Sequence, residues 1–216
     1  MTCPEIVDPN RTRMRVDLSR YYHLHPEGRL LISTWFQRAC RERNCQIDEA
    51  FEPFIFAWFA FNGWAACVTD QDRDRDIIDA LAADARINSD FARVIHDNED
   101  IRQTVNYFFG LLPIFDVKSL QRRGILRNEI ENRRERVNYY LLNGADKFEP
   151  KCWQHHHNAG EATPVDWGHF INAVYKVRCN LFHGLKAAHS EMDQVIVHSS
   201  YLALVKFLDE VGYINA

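Results

Sequence analysis

Apolar positions along this chain recur at helical spacing in one block after another. From Gly28 onward, Leu30, Leu31, Trp35, Phe36 and Ala39 share one face, while Arg38, Arg41, Glu42 and Arg43 fall off it. This spacing predicts a first helix running to about Cys45. Pro53 opens a second, FIFAWFAFNGWAACV, which is apolar on every side and so predicts a central helix enclosed by others. Asn62 interrupts it as a buried hydrogen-bonding residue expected to hold two helices in register. Three modest helices follow. One is capped within Thr69–Asp72 and holds Ile77, Ile78, Leu81 and Ala85; one opens at Asn88 or Ser89 with Phe91, Val94 and Ile95; one opens at Asn98 or Asp100 and stops at Pro113. Late in the chain, Thr163 is placed to cap a helix, Pro164 to fill its first position and Asp166 to put a carboxylate in its first turn. Trp167, Phe170, Ile171, Val174, Val177 and Leu181 then line one face. A turn over His189–Asp193 leads to a closing helix through Val195, Val197, Tyr201, Leu204, Val205 and Leu208, ended by Gly212. No stretch carries the alternation and turn chemistry of a strand, so the fold class is all-α, a helical bundle with additional helices.

Two stretches depart from this pattern. Residues 1–28 carry Pro4, Pro9, Pro26 and Gly28 with little periodicity and read as an N-terminal arm to a single domain over 29–216. From Val117 to Asn143 the composition shifts to seven basic residues among Leu120, Ile125, Leu126, Ile130, Val137, Leu141 and Leu142, with Gly124 breaking the stretch in two. Arg123, Arg127 and Arg134 are spaced to share a helical face, a stripe able to follow an RNA phosphate backbone. A solvated surface diluted by Glu129, Glu131 and Glu135 is the plainer account of the same residues. Asp146–Ala162 lacks periodicity and reads as a loop, so 117–162 stands as an insertion and loop.

Composition narrows the classes. A chain of 216 residues, 46% hydrophobic, is enough for one well-buried domain. A formal charge of −4 gives no overall basic field, so any RNA contact has to come from local patches. The N-terminal residues are too polar for a signal peptide and no apolar run is a comfortable membrane span, which points to a cytoplasmic protein with no membrane partner. Six cysteines scattered over the chain, four inside predicted helices, read as reduced thiols. There is no Gly-rich phosphate loop, no G-x-S-x-G and no H-E-x-x-H.

Candidate chemistry sits on the late helix. Arg178 falls in the middle of its apolar face, and a guanidinium turned inward needs a carboxylate, a ring of acceptors or a bound anion. Five residues on is His183, an imidazole able to move protons near neutral pH, followed by Gly184. The string RCNLFHG, with Val177 before it and Asn180 inside it, resembles the R-x4-H motif of HEPN domains; the run Trp58-Phe59-Ala60-Phe61-Asn62 looks like the WxAFN-type helix found in several HEPN branches. The resemblance implies a small helical bundle and a metal-independent endoribonuclease needing no cofactor, in a toxin–antitoxin or phage-defence setting with a cognate antitoxin or defence-system protein as partner. It implies that His183 moves the 2′-hydroxyl or leaving-group proton, that Arg178 holds the phosphate and that Asn180 adds a hydrogen bond. It also implies a homodimer in which two motif helices make one cleft. That fits a geometric difficulty: Arg178 and His183 lie about 140° apart around one helix and do not share a face. Cys179 occupies the place where many active members carry a polar residue.

Other readings of the same residues remain. A non-catalytic helical module would bind RNA, a nucleotide or a partner protein in that cleft, and a structural Arg178 would be salt-bridged within the core. Cys152 with His155 and Cys179 with His183 have zinc-ligand spacing, a reading that would take His183 away from catalysis. Cys179 as a nucleophile lacks an orienting third group in the sequence.

Overall fold

Several helices of this chain begin where a side-chain oxygen meets the first unpaired amides, at Asp84, Asn98, Asp116, Asn132 and Asp166. The computed structural model describes residues 16–125, 130–182 and 191–214. In chain order its elements are α1 Arg20–His23, α2 Pro26–Arg41, a 3-10 turn at Ile47–Glu49, α3 Phe51–Thr69, α4 Asp74–Ala82, α5 Ala85–Asp97, α6 Glu99–Phe109, β1 Ile114–Phe115, α7 Val117–Arg122, α8 Arg133–Leu142, β2 Phe148–Glu149, α9 Trp153–Asn158, α10 Trp167–Phe182 and α11 Glu191–Val211. The fold is helical, with one two-residue antiparallel ribbon pairing Ile114 with Glu149 and Phe115 with Phe148.

The caps place several starts differently from the sequence reading. Asp84 accepts from the Arg86 and Ile87 amides, so α5 starts before Asn88, whose side chain instead donates to the Ala82 and Asp84 carbonyls. Asp70 takes a left-handed φ of 56° as the last turn of α3 ends, and α4 begins only at Asp74. Asp166, not Thr163, accepts from the His169 amide at 2.9 Å and opens α10 at Trp167. Asn98 caps α6 as read from the sequence.

The core is built around α3, which packs against α2, α4 and α11 and buries Phe54, Trp58, Phe61 and Trp64 completely. Its 19 residues are long and apolar enough to cross a membrane by length and composition, yet half of that window is covered by neighbouring helices, the mark of a core helix. Gly63 permits the approach of α2: a Cβ there would lie 2.9 Å from Ile32 Cγ1. Asn62 is half-buried and makes no side-chain hydrogen bond among the described residues, so the register of α2 on α3 comes from this small-residue contact and from apolar packing. α10 lies against α4, α5 and α11, where Trp167, Phe91, Phe170 and Phe207 pack ring against ring and Trp167 Nε1 donates to the Leu81 carbonyl at 2.9 Å.

The arm expected over 1–28 gives way from residue 16 onward. Val16 and Tyr21 are buried, the Asp17 amide donates to the Val68 carbonyl at 2.8 Å, and the Tyr21 hydroxyl reaches the Ile214 carbonyl at 3.5 Å. These residues close over the end of α3, and apolar burial outweighs their low periodicity. The loop expected over 146–162 contains β2 and α9. Between β1 and β2 a small second apolar cluster forms from Phe115, Leu120, Val137, Tyr140 and Phe148, with Gly124 at φ +69° ending α7.

Candidate functional site at the two ends of α10

At the C-terminal end of α10 the inward arginine finds a carboxylate. Arg178 Nη2 lies 3.0 Å from Asp74 Oδ2 at the first residue of α4, and the two side chains are 22% and 31% exposed. Its guanidinium carbon sits 5.5 Å from the centre of the Trp58 ring and 4.8 Å from that of Phe182. Arg178 Nε is buried with no hydrogen-bond partner among the described residues. The group is thus held by one ion pair and two rings, with its buried Nε unused among the described residues. Beside it, Tyr175 is pushed up to about 12, first by burial and then by the adjoining Cys179. His183, the second residue of the motif, lies outside the described residues, as does Arg127.

An apolar surface borders the arginine. Phe182 and Phe59 are 41% and 38% exposed with ring centres 6.1 Å apart; Phe59 meets Trp35 at 5.5 Å, and Leu31, one turn earlier on α2, is also exposed.

Asn180 faces the other way. It is buried, donates from Nδ2 to the Phe115 carbonyl at 2.8 Å and accepts on Oδ1 from the Val117 amide at 3.1 Å. Its amide therefore fastens β1 and the start of α7 to α10, helped by Lys176 Nζ on Asp116 Oδ2 at 2.8 Å. Burial would raise the Asp116 carboxyl, but the hydrogen bonds from Lys176 and the Ser119 amide prevail and hold it below its ordinary value. Asn180 also borders a cavity of about 350 Å³ whose wall includes Leu120, Tyr140, Arg133 and Arg136. Arg133 spends its donors there on the Leu111 and Pro113 carbonyls, and burial brings it down to about 10.

Arg123 and Arg134 do not lie on one continuous helix. Arg123 closes α7 and binds the Gly144 carbonyl and Asp146, whereas Arg134 is exposed on α8, beyond the reversal at Gly124. The positive φ of that glycine turns the chain, so spacing counted through it as a continuous helix does not apply.

The N-terminal end of α10 holds a cluster that sequence reading missed. Cys152 Sγ lies 2.9 Å from His169 Nε2, and His169 Nδ1 lies 2.6 Å from Asp166 Oδ2. Asp166 uses its other oxygen for the helix cap. Burial would raise its carboxyl, but the bonds from the His169 ring and amide outweigh burial and lower it. The alternative zinc arrangement that the spacing allowed is not assembled on the Cys152 side: its sulfur faces His169, and His155 is exposed. Among the described residues no three His, Cys, Asp or Glu side chains group as metal ligands. The one signal available in the sequence was Asp166 three residues before His169, a spacing that lets a first-turn carboxylate reach an imidazole.

No family model, no curated protein and no solved structure matches this chain.

Proposed function

We propose that the chain is a HEPN-type, metal-independent endoribonuclease working as a homodimer, in a toxin–antitoxin or phage-defence setting with a cognate antitoxin or defence-system partner. The observation that carries this reading is the placement of Arg178 over Trp58: the two stretches that bear the resemblance, far apart in sequence, meet at one guanidinium. There the Arg178 side chain keeps a partly open position, which suits a cation that holds a phosphate oxygen. His183 would take the 2′-hydroxyl proton or protonate the leaving oxygen: the 2′ oxygen bonds to phosphorus, the bond to the 5′ oxygen breaks, and that oxygen leaves as a hydroxyl with a proton taken up from His183 or water. The exposed Leu31, Phe59 and Phe182 beside Arg178 suit a surface covered by a second copy. Asn180 enters this reading as the residue that fixes the motif helix against β1 and α7.

A second reading is favoured by Asp74. A guanidinium already paired at 3.0 Å has less charge to offer a transition state, which suits a non-catalytic module that binds RNA or a partner protein. Arg178→Lys separates the two, because lysine keeps the charge but loses the planar fork. On the ribonuclease reading, cleavage of a defined single-stranded RNA in EDTA falls by about a hundredfold or more, as for loss of one transition-state donor, with RNA affinity little changed. A parent protein that binds the strand and leaves it intact establishes the binding module instead.

A further inference from the structure

Three groups stand in series at the N-terminal end of α10: the Cys152 thiol, the His169 imidazole and the Asp166 carboxylate, joined at 2.9 and 2.6 Å. Series order matters. Cys152 and Asp166 bind opposite nitrogens of one ring, so they do not converge on a point where an ion would sit. The carboxylate fixes the proton on Nδ1 and leaves the Nε2 lone pair facing sulfur, which is the tautomer a base needs. Helix capping does not account for the arrangement. Asp166 Oδ1 alone satisfies the His169 amide, while Oδ2 is turned to the ring, and Cys152 comes from outside the helix altogether. Cys152 is half-buried. Cys40 faces Arg43, and burial pushes the Cys40, Cys45 and Cys67 thiols up and away from the reactive thiolate form.

We propose that Cys152 is a base-activated nucleophile that accepts an acyl group from a small thioester, with His169 as the general base and acid and Asp166 as the residue that positions the ring. The proton of the Cys152 thiol passes to His169 Nε2 as sulfur attacks the carbonyl carbon. A new carbon–sulfur bond forms, the donor's carbon–sulfur bond breaks, and the departing thiolate takes the proton back from His169. The products are S-acyl-Cys152 and a free thiol, and Asp166 stays ionised throughout. A proton that must leave the attacking atom and return to the departing one is the task for which such a relay is arranged. Arg178 has no part in it, so this inference stands apart from the ribonuclease reading.

The test incubates the full chain at neutral pH with the acetyl thioester of N-acetylcysteamine and maps acetylation by peptide mass spectrometry. Cys152 should be acetylated first, ahead of Cys40, Cys45 and Cys67, and Cys152→Ser should remove that mark. His169→Gln should slow it by about a hundredfold or more, the usual range for a general base. Asp166→Asn retains a capping oxygen and so should stay folded, with at most a small drop in melting temperature, yet acylate more slowly and lose the ¹⁵N signature of the Nδ1–H tautomer at His169. Should His169→Gln fail to fold, Asp166→Asn decides. The inference is overturned if Cys152 reacts no faster than Cys40, Cys45 and Cys67, if it is oxidised by hydrogen peroxide but not acylated, or if Asp166→Asn changes neither rate nor tautomer.

Discussion

The two ends of α10 solve the same problem in opposite ways. At the C-terminal end the helix supplies the cation, Arg178, and a distant helix supplies the acid, Asp74, with two aromatic rings beside the pair. At the N-terminal end the helix supplies both acid and base, three residues apart, and the distant segment supplies only a thiol. An ion pair between distant elements ties the fold together, so function there is purchased with stability at risk. A relay assembled within one helical turn leaves the fold nearly indifferent to its own chemistry, and mutations at the two ends should part company on this point.

The largest effect belongs to the face of α10 that carries no proposed chemistry. Asn180→Ala leaves the Phe115 carbonyl and the Val117 amide without their buried partner; at about 1–3 kcal/mol for each unsatisfied group, denaturant unfolding should show a loss of roughly 2–6 kcal/mol. Asp74→Ala comes next. It leaves the Arg178 guanidinium without its carboxylate, but the pair is partly open to water, so the loss should be about 1–2 kcal/mol, below the 3–5 typical of a fully buried pair. At the other end Asp166→Ala should cost about 1 kcal/mol through the lost cap, and Asp166→Asn, which keeps the capping oxygen and loses only the charge facing His169, less than that. Equal losses for Asp74→Ala and Asp166→Asn would erase the contrast.

Acid sharpens the comparison further. The Asp116 and Asp166 carboxyls are both held below their ordinary values, so each contributes stability above the unfolded carboxylate pKa that is lost as pH falls through the lower, folded one. Melting temperature should therefore drop below about pH 4. Lys176→Met should flatten the part due to Asp116, and Asp166→Asn the part due to Asp166. Glu149 runs the other way. Burial raises its carboxyl despite Arg75 at 3.8 Å, so its contribution is present below the unfolded pKa and is lost as pH rises through the folded one. Glu149→Gln should accordingly raise the melting temperature at neutral pH, by about 1–2 °C, the smallest of these effects.

What the sequence disclosed follows the same division between local and distant. The apolar stripe from Trp167 to Val177 was legible because burial follows the helical period, and Arg178 stood out because it broke that stripe. That it needed a partner was readable; that the partner is Asp74 was not, since nothing in the spacing links α4 to α10. Asn180 was read for its place in the motif, but its hydrogen bonds depend on where β1 happens to pass. Arg123 and Arg134 lie on separate helices either side of Gly124 and its positive φ, so spacing counted along one helix does not relate them. Cys152 was read against His155, its neighbour in sequence, and only folding set it against His169.

The central claim turns on His183. Attack by the 2′-hydroxyl expels the 5′ oxygen, so the parent protein incubated in EDTA with an end-labelled single-stranded RNA should leave fragments with 2′,3′-cyclic phosphate and 5′-hydroxyl ends, identified by mass spectrometry. His183→Ala should reduce that cleavage by roughly a hundred- to ten-thousand-fold at an unchanged melting temperature. A parent that leaves the strand whole, or a His183→Ala protein that cuts as fast as the parent, would contradict the account.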